Sequence, residues 1–160
     1  MRFAFAAPLF RRSCLVAELS FFMDAPPPLL NLLVIRSADL DRAERFYRVL
    51  GLHFERHRHG AGPEHLAAQP YAGGYVFEIY PANPKMGPTT AVRIGFSMDA
   101  VDPYLDALVE AGGSIIHAPA DSEWGRRAVV ADPDGHRVEL VTPPERNSLT
   151  GGADRDRMSD

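Results

Sequence analysis

A single cysteine, Cys14, and a single tryptophan, Trp124, stand in 160 residues. One thiol excludes an intrachain disulfide, so stability must come from a packed core, and the chain suits a reducing, cytoplasmic compartment. No apolar run approaches the ~18 residues that cross a bilayer as a helix, and no membrane partner is expected. A basic surplus is also missing. The 17 Lys and Arg stand against 21 Asp and Glu, for a formal charge of −4. Phosphate binding wants a basic surface, so no nucleic acid is expected as partner. The chain lacks a Ser-His-Asp constellation, a phosphate-binding glycine loop and a dinucleotide fingerprint.

What remains suits one globular domain, 46% apolar and 24% charged. The opening MRFAFAAPLFRRSCLVAELSFF superficially resembles a secretory signal, but it has one early positive charge and Arg11-Arg12 interrupts its apolar stretch. Residues 1–27 are expected to be a disordered extension, with Met23 a natural beginning, and the polar, charged tail 144–160 is expected to be disordered too.

The organising stretch is WGRRAVVADPDGHRVELVTP, Trp124 to Pro143. It reads as strand, tight turn, strand, with Pro133 and Gly135 supplying the turn chemistry. From His136 to Thr142 the residues alternate: Val138 and Leu140 share one face, Arg137, Glu139 and Val141 the other. Subtracting 61 from Glu139 lands on Glu78, in YVFEIYP, which alternates in the same way. The same offset pairs Asp102 with Asp41, Gly112 with Gly51, Ala128 with Ala67, and Gly135 with Gly74. Each identity sits at a cap, helix end, hairpin or strand centre, which predicts two copies of one unit without insertions.

The first copy reads as a strand over Leu29 to Ser37, then a helix capped by Asp39 or Asp41 and ended by Gly51. Strands over Leu52 to Arg56, His65 to Gln69 and Tyr75 to Tyr80 follow, the last two joined through Pro70-Tyr71-Ala72-Gly73. The linker PANPKMGPTT leads to the second copy. There a strand spans Val92 to Met98, and a helix runs from Pro103, after the cap Asp102, to Gly112-Gly113. A strand over Ser114 to Ala118, a Pro-containing loop and the closing hairpin complete it. The fold class is α+β: two βαβββ modules, residues 29–82 and 90–143, within a domain spanning 28–143.

The paired βαβββ units, the phrase DLDRAERFYRVLGL and the ending WGRRAVVADPDGHRVELVTP resemble the vicinal oxygen chelate superfamily. That group includes glyoxalase, bleomycin-binding resistance proteins, fosfomycin-modifying enzymes and extradiol dioxygenases. The resemblance covers Leu29 to Pro143 and implies modules curled into half-open cups with the site on the concave face. It also implies a divalent-metal position built near the start of each first strand and at the middle of each last strand. The last-strand positions are Glu78 and Glu139, both suitable oxygen ligands. The first-strand positions fall on Leu32 and Arg93. Leucine cannot ligate, and a guanidinium stays protonated and repels a cation. No cofactor is therefore expected; if a divalent metal binds, Glu78, Glu139 and His65 are its candidate ligands.

Arg93 would balance Glu78 and Glu139 where the metal's charge otherwise would, and alternation places Arg36, Arg127 and Arg137 on the concave side as well. Guanidiniums left over could clamp a carboxylate or phosphate, so the ligand-binding candidates are Arg36, Glu78, Arg93, Trp124, Arg127 and Glu139. The resemblance places Arg36 where glyoxalase uses an arginine on its acidic thiol substrate, and puts Trp124 and Val129 on the pocket's apolar wall. The histidines of HFERHRHGAGPEH read as a solvated hairpin loop, since no zinc-type ligand spacing completes the set. His65 differs. The offset matches it to Arg126, away from the cup, and a register slip of one residue would turn it inward as a ligand or general base.

Three functions are compatible with these residues. The first is a small-molecule-binding protein of the glyoxalase/bleomycin-resistance type without the usual metal site, its ligand anionic or polar-aromatic. The second is a metal-dependent, glyoxalase-like lyase or isomerase, or a dioxygenase-related enzyme, using Glu78 and Glu139. The third is a structural or partner-binding module whose cup is filled. A homodimer is expected, because two modules leave an open rim to cover.

Overall fold

Alternating strands and a well-capped helix generate the first module. The computed structural model describes residues 27–69 and 74–144; the expectations for Cys14, the rest of the extension, Pro70 to Gly73 and residues 145–160 fall outside them. Of the unit Met1–Leu30, the described residues 27–30 carry no regular structure, and all that follows concerns the unit Asn31–Asp160. Strand β1 (Leu32–Ser37) leads into helix α1 (Leu40–Val49). Asp39 caps α1 by accepting the Arg42 N–H at 3.0 Å, which satisfies one of the four amides that a helix start leaves free. Gly51 takes φ +82° just past the helix, a conformation natural to glycine. Strands β2 (Glu55–His57), β3 (His65–Ala68) and β4 (Val76–Pro81) complete a sheet of order β1-β4-β3-β2, with β1 parallel to β4.

The second module repeats the plan. Strand β5 (Arg93–Ser97) is followed by a 3-10 turn (Asp102–Tyr104), helix α2 (Leu105–Glu110), and strands β6 (Ser114–Ser122), β7 (Gly125–Ala131) and β8 (Arg137–Thr142). The sheet order β5-β8-β7-β6 matches the first module strand for strand. Leu32 faces Val76 across β1 and β4, and Arg93 faces Arg137 across β5 and β8, so the 61-residue offset holds for these pairs.

Three expectations need correction. The offset fails between β3 and β4: Ala67 faces Glu78, whereas Val129, not Ala128, faces Glu139. That hairpin is one residue longer in the first module, so the Ala67/Ala128 identity is a coincidence of counting and the copies are not free of insertions. Next, Asp102 does not cap the second helix; its carboxylate takes two hydrogen bonds from Arg126, at 2.6 and 2.7 Å. A planar guanidinium gives a carboxylate two parallel bonds, which a single helix amide cannot match. Finally, β6 runs through Pro119 to Ser122 instead of stopping at Ala118, with register shifts along its pairing to β7. As an edge strand it tolerates a residue without an N–H, and bulges absorb the mismatch.

One apolar core serves both modules. Ile35, Leu66, Phe77 and Ile79 lie beneath Ala43, Phe46 and Tyr47 of α1, and Ile94, Ala128, Val130, Val138 and Leu140 lie with Leu105 and Leu108 of α2. Each such side chain stabilises the fold by roughly 1.5–3 kcal/mol on burial, against the entropy of ordering it. Tyr47 bridges the modules, its ring 5.1 Å from Phe77 and 6.5 Å from Phe96. Both helices cover the core faces, so the opposite faces of the two sheets stay open, with Leu32 at 45% and Val34 at 38% exposure. No helix among the described residues is long and apolar enough to cross a membrane.

Candidate functional site

Strand alternation decides which side chains can meet on each open face. On β4, Phe77 and Ile79 are fully buried in the core, so Val76, Glu78 and Tyr80 point the other way. Ala67 faces Glu78 on β3, and His65, two residues earlier, shares its side. The expected outward direction of His65 is thus reversed by the one-residue register difference. Its ring stacks on Tyr80 at 4.2 Å with a 5° interplanar angle, and its Nε2 lies 3.8 Å from Glu78 Oε1. The His59 ring sits 5.0 Å from that of His65, and the His57 ring 6.2 Å. A cavity of about 510 Å³ opens beside them, lined by His53, Glu55, His57, His59, Ala67 and Glu78 among others.

The second module's open face has different chemistry. Val138 and Leu140 of β8 are fully buried, which turns Arg137, Glu139 and Val141 outward. Glu139 Oε2 takes Arg93 Nη2 at 2.5 Å and Arg127 Nη2 at 2.9 Å. Arg127's hydrogen bond, opposed by slight burial and aided by the Arg93 charge, holds the Glu139 carboxyl below its ordinary range. Gly95 faces Glu139 from β5, leaving room for the two guanidiniums. Val129, opposite Glu139, is 2% exposed.

The six ligand-binding candidates therefore fall into separate groups. Arg93, Arg127 and Glu139 come together, while Glu78 lines the first-module cavity with none of the other five. Arg36 donates from Nη1 to the Pro81 carbonyl at 3.1 Å and lies 5.7 Å over the Tyr80 ring. Trp124 occupies the β6–β7 turn at 68% exposure. Glu78 and Glu139 share no ion-pair partner among the described residues.

The family-type metal position does not fit this chain. Leu32 offers no donor, and Arg93, at the matching position of the second module, is engaged with Glu139. Two other sets of donors converge within 4.8 Å: His59 with His65 and Glu78, and Asp132 with Asp134 and His136. The second set is occupied by its neighbours. Asp132 Oδ2 accepts from Tyr47 at 2.9 Å and meets His136 Nδ1 at 2.8 Å, while Thr89 Oγ1 lies 3.1 Å from His136 Nε2. Asp134 takes the Ser37 hydroxyl, the Ala38 N–H and Arg42.

Two features escaped the sequence. His59 reads in the sequence as part of a solvated loop, and His136 reads only as the start of the last strand. The spacing of Asp132 and His136 across a tight turn is the signal that could have found the second; for His59 no local signal existed, because its relevance depends on the face His65 takes.

Comparison with known proteins follows the same lines. The family model described as Glyoxalase/Bleomycin resistance protein/Dioxygenase superfamily matches residues 29–140. A protein of Mycolicibacterium smegmatis, described as uncharacterized, is 32% identical over 118 residues, 73% of this chain and 96% of that one. Among solved structures, TnmS3, an antibiotic binding protein from Streptomyces sp. CB03234, superposes with a TM-score of 0.61 at 24% identity, covering 75% of this chain and 99% of that chain. A glyoxalase-related enzyme from Fulvimarina pelagi gives 0.60 at 24% identity, with 74% and 90% covered. At these identities the structural likeness speaks for the fold alone.

Proposed function

The chain belongs to the glyoxalase/bleomycin resistance protein/dioxygenase superfamily, and within it we propose a small-molecule-binding protein that does not use the superfamily's usual metal position. The observation that carries this reading is the Arg93–Glu139–Arg127 cluster. Two guanidiniums converge on Glu139 Oε2 and bring one positive charge more than the carboxylate neutralises, which opposes a cation there. The first module meanwhile keeps a cavity of about 510 Å³, within the range of small-molecule sites, which weighs against a filled cup.

The ligand proposed is a small polar molecule with aromatic surface. Imidazoles of His53, His57 and His59 offer flat faces and donors, and Glu55 and Glu78 accept hydrogen bonds. These carboxylates disfavour an anionic group in the cavity itself. A homodimer covering the exposed Leu32 and Val34 would enclose the cup further. TnmS3 is described as an antibiotic binding protein, and sequestration of a natural product is the corresponding role proposed for this chain.

The test is a thermal-shift and calorimetric screen of polar aromatic compounds and carboxylates in the presence of a chelator. Binding that persists without metal, leaves the compound unchanged and is lost in Ala67→Phe supports the reading. Metal-dependent conversion of an acidic thiol adduct, lost in Glu139→Gln, would overturn it.

A further inference from the structure

We infer that His59, His65 and Glu78 form a binding site for one divalent transition-metal ion in the first module's cup. The inference rests on how His65 is held. Its side chain is buried, and its Nε2 has no hydrogen-bond partner. The other ring nitrogen, Nδ1, faces the Pro63 carbonyl at 3.5 Å. A carbonyl oxygen only accepts, so the proton belongs on Nδ1 and Nε2 presents a lone pair. Glu78 Oε1, itself an acceptor, lies 3.8 Å from that nitrogen.

Two acceptors facing each other in this way require something positive between them. A proton on Nε2 would draw the pair to about 2.7–2.9 Å, the range of charge-assisted hydrogen bonds. A metal ion with bonds of about 2.0–2.2 Å to nitrogen and oxygen spaces neighbouring ligand atoms by roughly 3–3.5 Å. The observed 3.8 Å lies nearer the second arrangement. Stacking on Tyr80 at 4.2 Å holds the ring in its plane. The Pro63 carbonyl is the kind of outer partner that fixes a ligating histidine's tautomer.

His59 supplies the third donor: a ring nitrogen of His59, one of His65 and a carboxylate oxygen of Glu78 lie within 4.8 Å of one another. It is exposed on the β2–β3 loop, so it can shift toward the other two donors as coordination demands. Two imidazoles and one carboxylate suit zinc, iron or nickel better than calcium or magnesium, which want oxygen alone. Further coordination positions would open onto the cavity lined by His57 and Glu55. The site shares only Glu78 with the family-type position and draws nothing from Leu32, Arg93 or Glu139. Asp132, Asp134 and His136 converge as closely, but hydrogen bonds from Tyr47, Ser37 and Arg42 already occupy their acceptors.

The site is tested on the full chain, stripped of metal and free of ligand, so its outcome does not depend on whether a small molecule binds. Titration with Co²⁺, read by its visible absorption, and with Zn²⁺, read by calorimetry, should show one ion per chain. Glu78→Gln and His59→Ala, both outside the core, should each weaken binding by about tenfold or more, while circular dichroism reports an unchanged fold. Glu139→Gln should leave the affinity as it was. Absence of stoichiometric binding below about 1 mM, affinity unchanged in both His59→Ala and Glu78→Gln, or equal loss in Glu139→Gln would each overturn the inference.

Discussion

Replacing Tyr47 with phenylalanine removes one hydroxyl from the junction between the modules and nothing else. Tyr47 is fully buried on α1, and its hydroxyl donates to Asp132 Oδ2, in the β7–β8 turn, at 2.9 Å. Burial, reinforced by the neighbouring Asp132 charge, pushes the phenol well above its usual range, so it stays protonated and donates. The same carboxylate takes His136 Nδ1 at 2.8 Å and the backbone N–H groups of Asp134 and His136 at 3.0 and 2.9 Å. His136 Nε2 hydrogen-bonds with the Thr89 hydroxyl at 3.1 Å, and the Thr89 oxygen accepts the Arg36 N–H at 3.0 Å. The chain of bonds therefore runs from α1 through the turn and the linker to β1. A hydrogen bond to a charged acceptor contributes about 1.5–3 kcal/mol. Three other donors remain on Asp132 and the ring contacts survive, so the lower end applies, about 1.5–2 kcal/mol. Urea unfolding at pH 7 should show that loss as a shifted midpoint with an unchanged slope. In an Asp132→Asn background the same substitution should cost less, because the two residues act on each other. A loss under about 0.5 kcal/mol, or equal losses in both backgrounds, would refute this account of the junction.

Acid should expose the same junction. Burial pushes the Asp132 carboxyl up, but the His136 and Tyr47 hydrogen bonds and the His136 interaction outweigh it and leave the folded value below 3.8. A depressed carboxyl contributes stability above its unfolded value that is lost as pH falls through the folded one, so melting temperature should drop as pH falls below about 4, and less steeply in Asp132→Asn. Glu139 has the same sign, and Glu139→Gln should flatten part of the acid drop while high salt weakens its effect at neutral pH. Gly125→Ala should cost more than about 2 kcal/mol by denaturant melt, because Gly125 has φ +106° and a Cβ there would collide with the Thr142 carbonyl oxygen. Phe77→Ala should cost about 3–5 kcal/mol in the same assay, since Phe77 is fully buried against Tyr47, Phe54 and Phe96.

The modules were legible because their signals are local and repeated. Alternation in YVFEIYP and HRVELVT, the Asp39 cap and the glycine after α1 each follow from a handful of adjacent residues. Two features of the second module were not, because tertiary partners overrode local preference: Arg126 claims the Asp102 carboxylate, and pairing with β7 draws β6 past Pro119. For the candidate site, the pairing of Arg93 with Glu139 follows from position alone, since both lie on one face of neighbouring strands. The grouping of six residues into a single cup did not follow, because alternation assigns a face to each strand but cannot say which faces look at one another.

The face of His65 turned on a single residue. An offset between two copies carries over only if every hairpin has the same length, and the β3–β4 hairpin of the first copy is longer by one. In a strand one residue is a change of side. Structural equivalence therefore pairs His65 with Arg127, not with Arg126: the first lies beside Tyr80, the second faces Val141, and Tyr80 and Val141 are the same offset apart. Both reach for the glutamate of their own module, His65 to 3.8 Å from Glu78 and Arg127 to 2.9 Å from Glu139. A fixed cation at that place pairs with its glutamate and repels a metal ion. An imidazole at the same place leaves its glutamate a lone pair to share. The two halves of the repeat thus keep one backbone plan, and the difference in their chemistry comes down to what stands opposite the alternation that β4 and β8 share.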